Sequence, residues 1–285
     1  MTQGTLEIEA YLERIGIVQP QAADLKSLRA LHLAHRIAIP FENLDIQLGR
    51  PIRLDIGSLQ DKLVGARRGG YCFEHNTLFL HALRALGFAV EPCEARVRPP
   101  DTTELTPRTH MVLTARVEGS DWLLDVGFGA SGPLEPVALS AVAQDQYGWA
   151  YRVLREEQTH VLQFRGADAE GWRDLYAFVP EPRYPVDFEV ANWYTSTHPE
   201  SLFVRTLTAQ RATPEARHML RGLTYTRSTP DSEQTREIDR DDLMPFLAET
   251  FGIVLPADAR LRALDGHGDG DADRDGDGGA EHSDV

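Results

Sequence analysis

The chain has 285 residues and only two cysteines, Cys72 and Cys93. That excludes a disulfide framework and a zinc site of the usual four-ligand kind, and in a reducing compartment both are expected as free thiols. No apolar run approaches the roughly 20 residues that span a bilayer. The first stretch, MTQGTLEIEAYLERIG, carries acids early and lacks the basic start and apolar centre of a secretion signal, so a soluble cytoplasmic protein is expected. Positive charge is scarce. Lys and Arg number 29 against 44 Asp and Glu, a net charge of −15, which argues against nucleic acid or an anionic membrane as main partner. Internal repeats are absent.

An apolar fraction of 42% is ordinary for a globular chain with a sizeable core. The length suggests two domains, or three small ones. Residues 265–285 hold eight acids and one Arg274, so the body is nearer −8. This tail has almost no apolar content and is expected to be disordered. Its alternating acids are similar to a calcium loop starting at Asp271, but His282 stands where the bidentate Glu belongs and no helices flank it, so no metal is expected.

Residues 4–88 read as mostly helical. One amphipathic helix uses Leu6, Tyr11, Leu12 and Ile15 and ends near Gly16. A second follows Pro20, uses Leu25, Leu28, Leu31 and Leu33, and stops at Pro40. Its His32 and His35 read as ordinary helix histidines. IPFENLDI, residues 39–46, reads as extended, and a third helix lies near Ser58–Val64. In RRGGYCFEHNTLFLHALRALG (67–87), Gly69 and Gly70 interrupt regular structure, and Phe79, Leu83 and Leu86 recur at helical spacing up to Gly87. Cys72 therefore falls in a first helical turn, on a stripe with Asn76, Phe79 and Leu83. There the positive end of the helix dipole and unpaired N–H groups favour a nucleophilic thiolate, whereas the plain alternative is a buried small hydrophobe.

From Phe88 the period changes to two. Val90, Cys93, Ala95 and Val97 suggest a strand. HMVLTARV, the turn EGSD and WLLDVGFG suggest a hairpin. Further strands are expected near Tyr151–Leu154, His160–Phe164 and Leu223–Thr226, with Pro180, Pro182 and Pro185 as breaks and a last helix from Asp241 to Gly252. Short runs with frequent turns point to an antiparallel sheet or barrel.

Asp125, in an otherwise apolar strand, needs a partner. His110 opens the other hairpin arm. A buried Asp behind a His that reaches a helix-terminal Cys is a nucleophile–base–orienter arrangement. With a tight turn at Gly119–Ser120, however, His110 and Asp125 share a face but lie four residues out of step, roughly 13 Å. His75, three residues after Cys72, is the rival base.

IPFENLDI at 39–46, RRGGYCFEHN at 67–76, RTH at 108–110, DVGFG at 125–129 and STHPESLF at 196–203 resemble the arylamine N-acetyltransferases of bacteria, in the family's order and over about two hundred residues. The resemblance implies an α+β fold: a helical bundle (residues 1–88) carrying the nucleophile, an antiparallel β-barrel (89–197) carrying His and Asp, and an α/β lid (198–264). It implies a Cys-His-Asp triad of Cys72, His110 and Asp125. It also implies acetyl-CoA as donor and an aromatic amine, hydrazine or hydrazide as acceptor, joined through an acetyl-cysteine in a ping-pong sequence. It sets Gly127, Phe128 and Gly129 beside the active site and cofactor, and Phe41, Phe128 and Phe203 around the acceptor; Phe41 and Phe203 read equally well as core. Alternatives are an amide synthase of an antibiotic pathway, a thiol hydrolase or transglutaminase-like enzyme, and an acidic interaction protein with an inert thiol. A homodimer is left open.

Overall fold

The computed structural model describes residues 4–20, 22–100, 104–166, 171–256 and 258–265. The expected tail disorder and the calcium-like segment lie outside these residues, apart from Asp265. Helical segments come first: α1 (Ile8–Ile15), α2 (Leu25–Ala38), the single turn α3 (Leu44–Gln47), α4 (Ile56–Leu59), which runs on as a π-helical segment over Gln60–Gly65 and covers the expected helix near Ser58–Val64, and α5 (Cys72–Ala85). Asp24 starts α2 by accepting the Ser27 N–H at 2.8 Å on its side chain. Gly16, at φ 71°, ends α1 in the left-handed conformation. Inside IPFENLDI the extended reading holds only for β1 (Phe41–Glu42). The Glu42 carboxylate accepts the Leu44 N–H at 2.6 Å and turns the next residues into α3.

Eight strands follow: β2 (Val90–Val97), β3 (His110–Val117), β4 (Ser120–Leu124), β5 (Val137–Ala138), β6 (Gln144–Gln146), β7 (Trp149–Glu156), β8 (Thr159–Arg165) and β9 (Arg173–Phe178). They pair antiparallel in the order β5-β4-β3-β2-β9-β8-β7-β6. The sheet curls almost into a barrel, because the Val153 N–H of β7 reaches the Ser140 carbonyl just beyond β5 at 2.9 Å. Cys93, Val112, Leu123, Tyr151, Leu162 and Tyr176 fill its interior.

The expected break at Pro185 is instead the first residue of α6 (Pro185–Thr197). Proline has no N–H to lose at that position, and its fixed φ suits a helix start. After α7 (Leu202–Arg205) come β10 (Thr208–Ala212), β11 (Arg217–Arg221), β12 (Thr224–Thr229), β13 (Ser232–Glu237) and α8 (Leu243–Phe246), which a 3₁₀ turn (Arg240–Asp242) leads into and a π-helical turn (Leu247–Phe251) extends to Gly252, in agreement with the expected last helix. These four strands form a second antiparallel sheet that β1 joins at its edge. Phe41 pairs with Gln210, which ties the N-terminal region to the C-terminal sheet. No helix among the described residues is long and apolar enough to cross a membrane.

The hairpin register differs from the expected one. Val117 pairs with Ser120, so the turn is Glu118–Gly119. Both residues have positive φ, as a two-residue turn matching strand twist requires. The shift halves the His110–Asp125 offset from four residues to two, a diagonal distance that side chains can bridge.

Candidate active site

Cys72 is the first residue of α5. The Glu74 carboxylate, one turn in, accepts the Tyr71 N–H at 3.1 Å and anchors the helix start. The preceding loop is pinned by buried charge. Arg68 donates twice to Glu42, at 3.0 and 2.7 Å, and Lys62 lies 2.8 Å from both Asp45 and Glu74. A β-carbon on Gly69 would stand 2.0 Å from the Pro40 carbonyl oxygen, so this close approach admits only glycine. Cys72 is 3% exposed, and its sulfur lies 3.7 Å from the Thr109 carbonyl. As first-turn groups, the Cys72 and Phe73 N–H groups have no partner within the helix.

His110 opens β3, and its Nε2 lies 2.7 Å from Asp125 Oδ2. The Asp125 carboxylate accepts, so this nitrogen carries a proton. The other edge of the ring is left for Cys72, with which His110 also interacts. Burial acts to lower the His110 pKa, but the Asp125 charge and hydrogen bond, together with Cys72, outweigh it and raise the value to about 10. Phe128 and Tyr176 enclose the imidazole, with ring centroids 5.1 and 4.9 Å away.

Asp125 is fully buried, which acts to raise its pKa; His110, the Asn76 amide and the Gly127 N–H overcome this and hold it below the ordinary value. Asn76 Nδ2 donates to Asp125 Oδ1 at 3.0 Å and to the Met111 carbonyl at 2.8 Å, while its Oδ1 accepts the Val126 N–H at 3.1 Å. One amide thus joins the helix bearing Cys72 to both arms of the hairpin.

His75, the rival base, has both ring nitrogens committed elsewhere. Its Nε2 is 3.1 Å from the Pro40 carbonyl, and its Nδ1 is 2.9 Å from His35 Nε2. His35 Nδ1 is in turn 2.8 Å from the Tyr11 hydroxyl. The carbonyl can only accept, so His75 Nε2 carries a proton; burial lowers both histidines and keeps the rings neutral, so every donor in this chain points toward Pro40. His32 and His35 are therefore more than ordinary helix histidines: both are fully buried, and His32 Nε2 accepts the Asp125 N–H at 3.1 Å.

A cavity of about 560 Å³ opens over Cys72 and His110. Phe41, Gly127, Phe128 and Phe203 line it. Phe41 and Phe203 also pack on each other at 5.9 Å and join the core, so the two roles coincide. Gly129 is not on the cavity wall. At φ 78° it packs under Gln210, where a β-carbon would meet the amide at 2.4 Å. Among the described residues no group of side chains could hold a metal ion.

The fold agrees with one enzyme class. A family model described as N-acetyltransferase matches residues 24–260. An arylamine N-acetyltransferase of Mycolicibacterium smegmatis is 44% identical over 226 residues, 76% of this chain and 80% of that one. The structure of the arylamine N-acetyltransferase from Salmonella typhimurium superposes with a TM-score of 0.83 at 35% identity, covering 92% of this chain and 97% of that one. The structure of the Mycobacterium marinum enzyme in complex with CoA superposes with a TM-score of 0.81 at 36% identity, covering 87% and 93%. The chain belongs to the arylamine N-acetyltransferase family.

Asn76, His32 and Arg36 are site residues to which the sequence alone assigns no role. Asn76 left a signal, a polar residue one turn after Cys72 on an inward stripe. His32 and Arg36 left only their mutual spacing of one turn.

Proposed function

We propose that this chain transfers the acetyl group of acetyl-CoA to the amine of arylamines, arylhydrazines or hydrazides through an acetyl-Cys72 intermediate, with Cys72, His110 and Asp125 as the catalytic triad. The observation that carries this reading is the His110–Asp125 hydrogen bond at 2.7 Å beside a cavity that Cys72 and His110 both line. The Cys72 sulfur, as thiolate, attacks the thioester carbonyl carbon. The bond to CoA breaks, and the departing CoA sulfur takes a proton from the His110 imidazolium. The acceptor nitrogen then attacks the acetyl-cysteine, His110 takes the amine proton, and Cys72 leaves as thiolate. Asp125 keeps the ring oriented and offsets its positive charge. The Cys72 and Phe73 N–H groups, which have no partner within the helix, are suited to hold the oxyanion formed in each half. The relative solved with CoA supports the choice of donor.

Mass spectrometry after incubation with acetyl-CoA alone tests the covalent step. The expected product is one acetyl group on Cys72, removed on adding an aromatic amine faster than by water. An unmodified Cys72 would overturn the reading, and loss to water at the same rate would favour a thiol hydrolase.

A further inference from the structure

The register of the C-terminal sheet places Arg221 on the wall of the cavity. Phe41, Gln210 and Met219 lie directly across one another on β1, β10 and β11, and Arg221 pairs with Thr208 two residues further along. Opposite pairs and alternate residues share a face, so these five residues form one wall. Two strand spacings and two residues put Arg221 about 12 Å from Phe41, Cα to Cα. That is within the combined reach of an arginine and an aromatic acid stacked on Phe41.

The other polar side chains on this wall are occupied. Gln210 accepts the Ala130 N–H at 2.8 Å and donates to Thr208 Oγ1 at 3.0 Å, and Thr208 donates to the Leu220 carbonyl at 2.9 Å. Arg221 is exposed and, among the described residues, its side chain has no ion pair or hydrogen bond. Among the described residues it is, apart from His110, the cavity's one basic side chain. The one acid among them, Glu200, is paired with Arg205 at 3.1 Å. A free guanidinium fork therefore stands at the edge of a largely apolar cavity, in a protein whose net charge of −15 offers anions little other attraction.

We propose that Arg221 binds the carboxylate of acidic aromatic amines, making aminobenzoate-type acceptors the preferred class. The proposal rests on the acetyl-transfer reading above. The acceptor is the fitting anion because its acid and amine sit on one small ring. The phosphates of CoA are the rival anion, and the KM for acetyl-CoA tells the two apart.

The test compares the native sequence with Arg221→Gln on 4-aminobenzoate, its neutral methyl ester and acetyl-CoA. Expected is a fall of at least about fivefold in kcat/KM for 4-aminobenzoate in R221Q, with the ester within about twofold and the KM for acetyl-CoA unchanged. Benzoate, which has the acid and no amine, gives a readout independent of transfer: its affinity by calorimetry falls by a similar factor in R221Q. Equal changes for acid and ester, no change for either, or a change confined to acetyl-CoA would each overturn the proposal. If Cys72 is never acetylated, the transfer reading fails, while benzoate binding still decides the role of Arg221.

Discussion

His32 and Arg36, one turn apart on α2, grip the loop that carries Asp125. His32 accepts the Asp125 N–H on Nε2 at 3.1 Å, while its Nδ1–H donates to the Leu134 carbonyl at 2.8 Å. Arg36 donates to the carbonyls of Val126, Gly129 and Gly132. Among the described residues no carboxylate bonds to this buried guanidinium, and Asp125 is the acid whose charge it feels. The loop under His110 is therefore held by α2 from below and by Asn76 of α5 from the side.

Replacing Arg36 by Met leaves buried carbonyls without donors, at a cost of about 1–3 kcal/mol each for those that find no other partner. The expected loss is about 3 kcal/mol in urea unfolding, with a larger fractional loss of acetyl transfer than of folded protein. Arg36→Lys keeps the charge but not the fork and should recover only part. A fully stable and active R36M variant would show that the loop holds itself.

Asp125→Asn tests the imidazole. The Asn76 amide and the Gly127 N–H both donate to Oδ1, so an asparagine keeps its oxygen there and turns its amide toward His110 Nε2. That nitrogen must then accept, and the ring proton moves to the edge facing Cys72. The rate of acetyl loading should fall by about 10³–10⁴, as expected for a wrong tautomer. Burial would then be opposed by Cys72 alone, so the His110 pKa should drop well below about 10, which NMR titration of the ring would read.

Three buried histidines predict acid lability. Burial lowers His32 to about 4, His75 to about 3, and His35 well below the ordinary value. Between those values and about 6.5 the unfolded chain binds protons that the native state refuses, so stability falls as pH falls. Three such groups give at most about 4 kcal/mol per pH unit. Glu74, raised by burial, works the other way with a single proton. His110 has the opposite sign to the three: its contribution is complete below about 6.5 and lost as pH rises through about 10. Urea midpoints from about pH 4.5 to 9 should therefore peak near 6.5–7. A flat profile would mean that the cluster is protonated in the native state.

Much of this was legible in the sequence because periodicity is a local property. The stripe from Cys72 to Leu83 and the alternation in HMVLTARV each depend on one element's buried face. The start of α6 was missed because Pro185 reads as a break unless the helix behind it is seen, and the hydrophobic stripe of that helix is weak: Val186, Val190 and Trp193 are exposed. The hairpin turn was misplaced by one residue because Glu118 offers no glycine to mark its positive φ. That single step doubled the apparent His110–Asp125 offset. The roles of His32 and Arg36 were hidden because their partners are backbone atoms about 90 residues away, on which sequence leaves no mark.

Gly127 and Gly119 make a matched pair for the last prediction. A β-carbon on Gly127 would lie 2.8 Å from Cys72 Cα and from Asn76 Nδ2, and 2.9 Å from the Cys72 carbonyl oxygen. Backbone atoms cannot step aside, so the loop and the start of α5 must separate. The Gly127 N–H and Asn76 both hold Asp125 Oδ1, so the carboxylate moves with them. Gly119 has φ 80° and nothing within 4 Å of where a β-carbon would stand, so alanine there meets backbone strain alone. Gly119→Ala should cost about 1 kcal/mol and leave acetyl loading unchanged. Gly127→Ala should cost about 2–3 kcal/mol and lower the loading rate of the folded fraction at least tenfold. Thermal unfolding alongside single-turnover acetylation separates the two, and equal activity in both variants would mean that the contact between Gly127 and Cys72 does not set the geometry of the site.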